Sequence, residues 1–400
     1  MQKNVPKLRF SGFRGEWALN TLSKVGEIIT GTTPPTAKRE YYGGQFMFVS
    51  PADINDNRYV HGTNVRVSDK GLHYGRKINK SSVMTVCIGS TIGKIAQAGD
   101  TAITNQQINT LEVNENNSSD FVYYRLLHIS KKIKLLAGIQ AVPLLNKSDF
   151  SNIKSYFPSL VEQQKIASFL SKVDEWTTNL KKQKEELEKY KKGMMQKIFS
   201  QKVRFKDENG KEFPKWEIKK LGDVYDITSS KRVFKSQWKR EGIPFYRARE
   251  IVKMNADGFV KNELFISKDM FQKYKTKFGA PKIGDLLVTG VGTIGVPYLV
   301  EESFDFYFKD GNIIWLRSKD RTNSKYTYYC FQTPQIQKQI SDFAAVTTVS
   351  TYTIDGAKKT IILQPSHNEQ QKIAEFLTSL DKVIESKQKQ IGLVENWKKV

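Results

Sequence analysis

The 400-residue sequence predicts an α+β protein: two loop-rich mixed α/β bodies separated by two long antiparallel coiled-coil helices, the halves related by a pseudo-two-fold internal repeat. Three observations predict it. Glu162-Gln163-Gln164-Lys165-Ile166-Ala167 recurs as Glu369-Gln370-Gln371-Lys372-Ile373-Ala374, an offset of 207. A proline-free heptad pattern follows each copy. The stretches before them break into short β-type runs punctuated by Gly and Asn/Asp.

The repeat divides the chain into body one (1–161), a first helix (162–200), body two (201–368) and a second helix (369–400). The offset of 207 extends back to Pro158-Ser159 against Pro365-Ser366, and forward to Tyr190-Lys191-Lys192 against Trp397-Lys398-Lys399. A weaker echo pairs Trp17, Leu22 and Val25 with Trp216, Leu221 and Val224, each set after a basic lead ending in Arg9-Phe10 or Arg204-Phe205. Another pairs Thr91-Ile92-Gly93 with Thr293-Ile294-Gly295. Between these anchors the halves diverge.

In the bodies, Gln45 to Val49, Val83 to Ile88, Asp285 to Thr289 and Asn312 to Leu316 read as short strands, and Leu126 to Leu136 and Thr333 to Ile340 as helical. The glycines around the Thr-Ile-Gly runs suit either a tight strand-to-strand turn or a phosphate cradle, and recurrence in both halves favours the turn.

The first helix carries Ile166, Val173, Leu180, Leu187 and Met194 in one row, with Phe169, Trp176 and Tyr190 at the +3 positions and Gln183 polar among them. The second has Ile373, Leu380 and Val394, with Phe376, Val383 and Trp397; Lys387 interrupts its first row. Two matching seams predict mutual pairing, antiparallel because the first helix leads from body one to body two and the second leads back. The second copy stops at Val400, short of the counterpart of Phe199, so a shortened final helix is expected. Leu170, Met195 and Ile198, with Leu377, Ile384 and Ile391, either dock partner subunits or widen the seam; the sequence leaves both readings open.

Composition narrows the function. Sixty-four Lys and Arg against 41 Asp and Glu give a net charge of +23, so the expected partner is a polyanion, nucleic acid first. No apolar run is long enough for a membrane span, and residues 1–10 lack the apolar core of a secretory signal. Cys87 and Cys330 lie far apart, which excludes a disulfide scaffold and suits a reducing, cytoplasmic setting. The net charge splits as +9 in 1–161, +3 in 162–200, +10 in 201–368 and +1 in 369–400, so the excess sits on the two bodies.

Candidate DNA contacts are cations mixed with aromatics and amides, since phosphates are met by cations while bases are read by Arg, Asn and Gln. In body one they are Arg58, Tyr59, Arg66, Arg76, Lys77, Lys94, Asn105 and Gln106, with His61 nearby. In body two they are Lys231, Arg232, Lys235, Lys239, Arg240, Arg247, Arg249, Lys273, Lys275 and Lys277.

No catalytic constellation emerges. The chain has no Gly-x-Gly-x-x-Gly after a strand, no Walker A run, and four scattered histidines without metal-ligand spacing. Asp207, Glu217 and Lys219 make a nuclease-like trio, but Ala18 and Asn20 replace Glu217 and Lys219 in copy one.

Two variable bodies alternating with near-identical Glu-Gln-Gln-Lys-Ile-Ala helices, each helix after a Pro-Ser step, resemble the specificity subunits of type I restriction-modification systems. The Trp-x(4)-Leu-x-x-Val openings and Thr-Ile-Gly turns resemble that family's target recognition domains. The resemblance implies a non-catalytic chain whose two target recognition domains read the halves of a split site in double-stranded DNA. It implies helices that set the gap and dock two adenine-N6 methyltransferase (modification) subunits, joined by restriction/translocase subunits. S-adenosylmethionine, ATP and Mg²⁺ then belong to those partners, and the chain itself carries no cofactor, no metal and no membrane contact. A self-sufficient DNA-binding regulator or architectural protein reading a bipartite site is the competing reading.

Overall fold

The computed structural model describes residues 5–55, 57–138, 143–261, 263–319, 322–345 and 350–398; the repeat's Lys399 and the end of the second helix's range lie outside them. The chain forms two compact units: Met1–Asn179 with Gly392–Val400, and Leu180–Ile391. The division falls inside both long helices, Leu160–Phe199 (40 residues) and His367–Trp397 (31 residues).

In the first unit, strand Ala18–Thr21 pairs antiparallel with Lys154–Phe157, Ala18 opposite Phe157. A five-stranded sheet runs Gly26–Thr30, Ile108–Val113, Val83–Val86, Ile95–Ala98, Tyr59–Val60 in spatial order. A four-stranded sheet runs Val65–Val67, Tyr42–Val49, Ala102–Thr104, Lys77–Ile78. The expected helix over 126–136 is two, Ser119–His128 and Ser130–Leu136, because Ile129 leaves helical geometry at ψ 9°.

The second unit repeats the frame. Glu217–Lys220 pairs with Ile361–Gln364 as Ala18–Thr21 does with Lys154–Phe157. Its main sheet runs Tyr225–Thr228, Ile313–Ser318, Leu286–Thr289, Pro297–Leu299. A smaller sheet holds Phe265–Ile266, Ile243–Tyr246 and Tyr307–Phe308. Helix Pro334–Ala345 covers the expected 333–340 region.

The Thr-Ile-Gly runs are turns. Gly93 donates its N–H to Val86 at 2.8 Å, closing the connection between Val83–Val86 and Ile95–Ala98, and Gly295 does the same to Thr289 at 2.7 Å. Both glycines have positive φ (81° and 76°). A Cβ on Gly93 would lie 2.8 Å from Lys134 Cγ, and one on Gly295 would lie 3.0 Å from Ile340 Cδ1, so helices press on both turns.

The long helices meet start to end in each unit. In the first, Phe169 packs edge-on against Trp397 at 5.6 Å. In the second, Ile198 and Phe199 share one core with Ile373, Ala374 and Leu377, with Met194 and Met195 packed against it. That order is antiparallel.

The seam differs from the heptad expectation. Phe169, Trp176, Tyr190, Val383 and Trp397 from the +3 rows are exposed. From the first rows Leu180, Ile373 and Val394 are buried, and the sheltered stripe also includes Gln163, Ala167 and Thr177, and on the second helix Gln370, Ala374, Leu377 and Ile391. The reason is that each helix packs on a body as well as on the other helix, so its buried face follows the α-helical period rather than a two-stranded seam. The outer-face residues resolve the same way: Ile198, Leu377 and Ile391 are buried, and Leu170 and Met195 pack against the cores, so these serve internal packing.

Candidate nucleic-acid interface

Each body is held on its helix by the recurring motif. Ser159 Oγ accepts from Glu162 N and Ser366 Oγ from Glu369 N, both at 3.4 Å, which explains the Pro-Ser step as a helix start. Glu162 takes two bonds from Arg9, Nε at 2.8 Å and Nη2 at 2.7 Å, and one from the Trp17 indole at 3.4 Å. Glu369 takes the same set from Arg204 (3.1 and 2.7 Å) and Trp216 (2.9 Å). The forked bonds raise both guanidinium pKa values. Gln163 Nε2 donates to the Pro158 carbonyl and its Oε1 accepts Ser118 N–H; Gln370 repeats this with Pro365 and Asn323. The repeated Glu-Gln pair is therefore a body-to-helix clamp.

A second lock escaped the sequence reading. Tyr124 donates to Asp174, which pairs with Lys398, and Tyr329 donates to Asp381, which pairs with Lys191. The signal was present as Tyr123-Tyr124 against Tyr328-Tyr329, beside Asp174 and Asp381 already in register.

In body one, Arg58 is drawn inward. It pairs with Asp120, donates to Gln97 at 2.5 Å and to Ser171 at 2.7 Å, and stacks within 5.1 Å of the Tyr59, Tyr123 and Tyr124 rings. Burial dominates the rise of the Tyr59 pKa, and its hydroxyl donates to Asp120 at 3.3 Å. Asn105 folds onto Gln107, accepting its N–H at 3.1 Å and donating to its side chain at 2.9 Å, while the neighbouring exposed Gln106 accepts from Thr33. Arg66, Arg76 and Lys94 are exposed and reach backbone carbonyls of Gln45, Thr30 and Ile54. Lys77 is exposed on an edge strand.

In body two, Arg247 and Arg249 both bind Glu250 and Glu263, with the Arg249 side chain still 53% exposed. Burial pushes the Glu250 carboxyl up, but bonds from Arg247 and Arg249 outweigh it and hold its pKa below the usual range. Arg232 pairs with Asp310 at 2.8 Å yet keeps its side chain 66% exposed. Lys275 pairs with Asp305 at 2.9 Å. Lys235, Lys239, Arg240 and Lys273 are exposed. Lys231 and Lys277 come together on one ring, 5.3 and 5.7 Å from the centre of Phe278.

The nuclease-like trio does not form such a site. Asp207 caps a turn by accepting from Asn209 N and Lys211 N, and Glu217 pairs with Lys219 along one strand. Among the described residues no three His, Cys, Asp or Glu side chains gather to hold a metal ion, and no helix is long and apolar enough to cross a membrane. An apolar groove of about 770 Å³ in the first unit is lined by Phe169, Val173, Trp176, Leu393, Val394 and Trp397.

Comparison with known proteins places this frame. The type I restriction modification DNA specificity domain matches residues 14–189 and again 214–396. The MjaVIII type I restriction enzyme specificity subunit of Methanocaldococcus jannaschii is 25% identical over 401 residues, covering 96% of this chain and 90% of that one. The MjaIX specificity subunit of the same organism is 27% identical over 277 residues, and the match spans 66% of this chain and 63% of the relative. The crystal structure of the type I restriction-modification system S subunit from M. genitalium superposes with a TM-score of 0.63 at 17% identity, over 100% of this chain and 97% of that one. With two domain matches falling on the two repeated halves, the chain belongs to the type I restriction modification DNA specificity family.

Proposed function

We propose that this chain is the DNA specificity subunit of a type I restriction-modification complex. Body one (1–161) and body two (201–368) each read one half of a split double-stranded DNA site, and the helices (162–200 and 369–400) set the gap and dock the modification subunits. The observation that carries the reading is the pair of clamps: Glu162 with Arg9 and Trp17, and Glu369 with Arg204 and Trp216, mount two bodies of different surface on equivalent helix starts. A frame held constant under divergent surfaces suits two readers of unlike half-sites.

The charge supports it, at +9 and +10 on the two bodies. The exposed cations Lys77, Lys231, Lys235, Lys239, Arg240, Lys273 and Lys277 are the first candidates for phosphate binding, with Arg66, Arg76, Lys94 and Arg232 reachable from their present partners. Gln106 is the outward amide of body one. Exposed Phe169, Trp176 and Trp397 around the groove suit docking of a modification subunit. Methyl transfer from S-adenosylmethionine, and ATP- and Mg²⁺-dependent translocation and cutting, are work of the partner subunits.

Co-expression with the cognate modification subunit tests this. Adenine methylation at a bipartite site is expected from the pair and from neither protein alone. Methylation or cleavage by the isolated chain contradicts the reading, and tight specific binding with no modification partner favours a self-sufficient regulator.

A further inference from the structure

We propose that the helix Lys268–Phe278 is the groove-facing element of body two, with Gln272 and Thr276 reading base edges and flanking lysines gripping phosphates. The inference rests on the specificity-subunit reading and adds the element and the residues.

At about 100° per residue, Phe271, Tyr274 and Met270 share one side of this helix, and all three pack in the cluster built on Phe245, Ile266 and Tyr307. The opposite side centres on Gln272 and Thr276, one turn apart and both exposed. Lys273 lies to one side of that pair and Lys268 to the other. Uncharged hydrogen-bonding groups in the middle with cations at the flanks is the layout that duplex recognition needs, because phosphates border the groove and base edges lie at its floor.

The charge selects the occupant. The helix itself holds Lys268, Lys273, Lys275 and Lys277 against Asp269, and of these lysines Lys275 is paired outside the helix with Asp305. The same core cluster includes Val233 and Trp238, which anchors the 231–240 loop beside the helix, and Tyr274 donates to the Arg232 carbonyl at 3.2 Å. Lys231 of the loop and Lys277 of the helix then approach one ring, Phe278. Like charges gathered on one ring repel, and a polyanion relieves that repulsion. The loop adds exposed Lys235, Lys239 and Arg240.

Copy one supplies an internal contrast. Its counterpart is the helix Asp69–Tyr74, which starts like Lys268–Phe278 with a serine cap, Ser68 Oγ accepting from Gly71 N and Ser267 Oγ from Met270 N, both at 3.2 Å. It has 6 residues against 11, and its Asp69 and Lys70 cancel. The helix is thus longer and more basic in body two only, so its mutation affects one half-site only.

Two measurements on the full chain test the proposal. The first is the salt dependence of binding to a duplex of arbitrary sequence, about four helical turns long. Lys273→Ala/Lys277→Ala is expected to lower the slope of log K against log salt by about 2, at roughly 0.9 for each phosphate no longer neutralised. Lys338→Ala/Lys358→Ala, at exposed lysines of the helices Pro334–Ala345 and Ile354–Lys359, serves as a charge-matched control. An unchanged slope for the helix pair, or equal changes for both pairs, overturns the grip. The second is the methylated motif in cells carrying the chain with its modification subunit. Gln272→Ala/Thr276→Ala is expected to relax bases in one half of the motif and leave the other half and the salt slope intact. An unchanged motif, or loss spread over both halves, overturns the reading role. If the unaltered pair yields no split motif, the specificity-subunit reading fails instead, and the salt slope still judges the helix.

Discussion

The Tyr329 hydroxyl donates to the Asp381 carboxylate at 2.7 Å, and Asp381 in turn pairs with Lys191 of the other long helix at 2.6 Å. Tyr124, Asp174 and Lys398 repeat the arrangement in the first unit, with Lys398 at the repeat offset of Lys191. Each lock joins a body helix to both long helices at once. Burial raises the Tyr329 pKa, and the carboxylate acceptor raises it further, so the tyrosine stays a donor at any physiological pH.

Tyr329→Phe keeps the ring and removes only the hydroxyl. A hydrogen bond to a charged group is worth roughly 1.5–3 kcal/mol, and solvent access to Asp381 reduces this to about 1–2 kcal/mol. Calorimetry is expected to show a melting temperature several degrees lower. An unchanged midpoint contradicts a structural lock.

Glu369→Gln strikes deeper. The Glu369 side chain is fully buried and accepts from Arg204 and Trp216 together. Loss of the charge is expected to cost roughly 2–3 kcal/mol, less than a wholly buried pair because Arg204 keeps some solvent access. Denaturant unfolding checks it, and a cost below that of Tyr329→Phe would remove the clamp from the account.

Trp176→Glu separates docking from folding. Trp176 is 54% exposed, so stability is expected to hold within about 0.5 kcal/mol. Co-purification with the modification subunit is expected to fall sharply. Retained co-purification places docking elsewhere.

Both thiols are expected to be inert in the folded chain. Burial raises the Cys87 pKa to about 11, and that of Cys330 further. A thiol-reactive disulfide at mildly alkaline pH is expected to label neither until the chain is unfolded. The sign for stability follows: between the ordinary thiol value of about 8.5 and about 11 the unfolded chain releases protons that the folded chain retains, so stability falls as pH rises. Rapid labelling of folded protein contradicts the burial.

The repeat was legible because its anchors are obligatory partners. Glu162, Trp17 and Arg9 recur as Glu369, Trp216 and Arg204 since a buried carboxylate needs all its donors in both copies. The sides of the helices were less legible. Phe169 and Trp176 fit a heptad, but a helix packed on two neighbours buries a wider stripe, and the heptad aromatics fell outside it. The cations were least legible. Arg58, Arg247 and Arg249 resemble free basic residues in sequence; Glu250 stands beside Arg249 in the chain, but only folding brings Asp120 and Glu263 to them.

The most direct measurement is the methylome of cells carrying this chain with its modification subunit, before and after exchange of residues 1–161 for the same region of another family member. The account predicts a two-part adenine-methylated motif with a fixed gap, of which the exchange rewrites one half and preserves the other half and the gap. A single continuous motif, or a change in both halves, contradicts it.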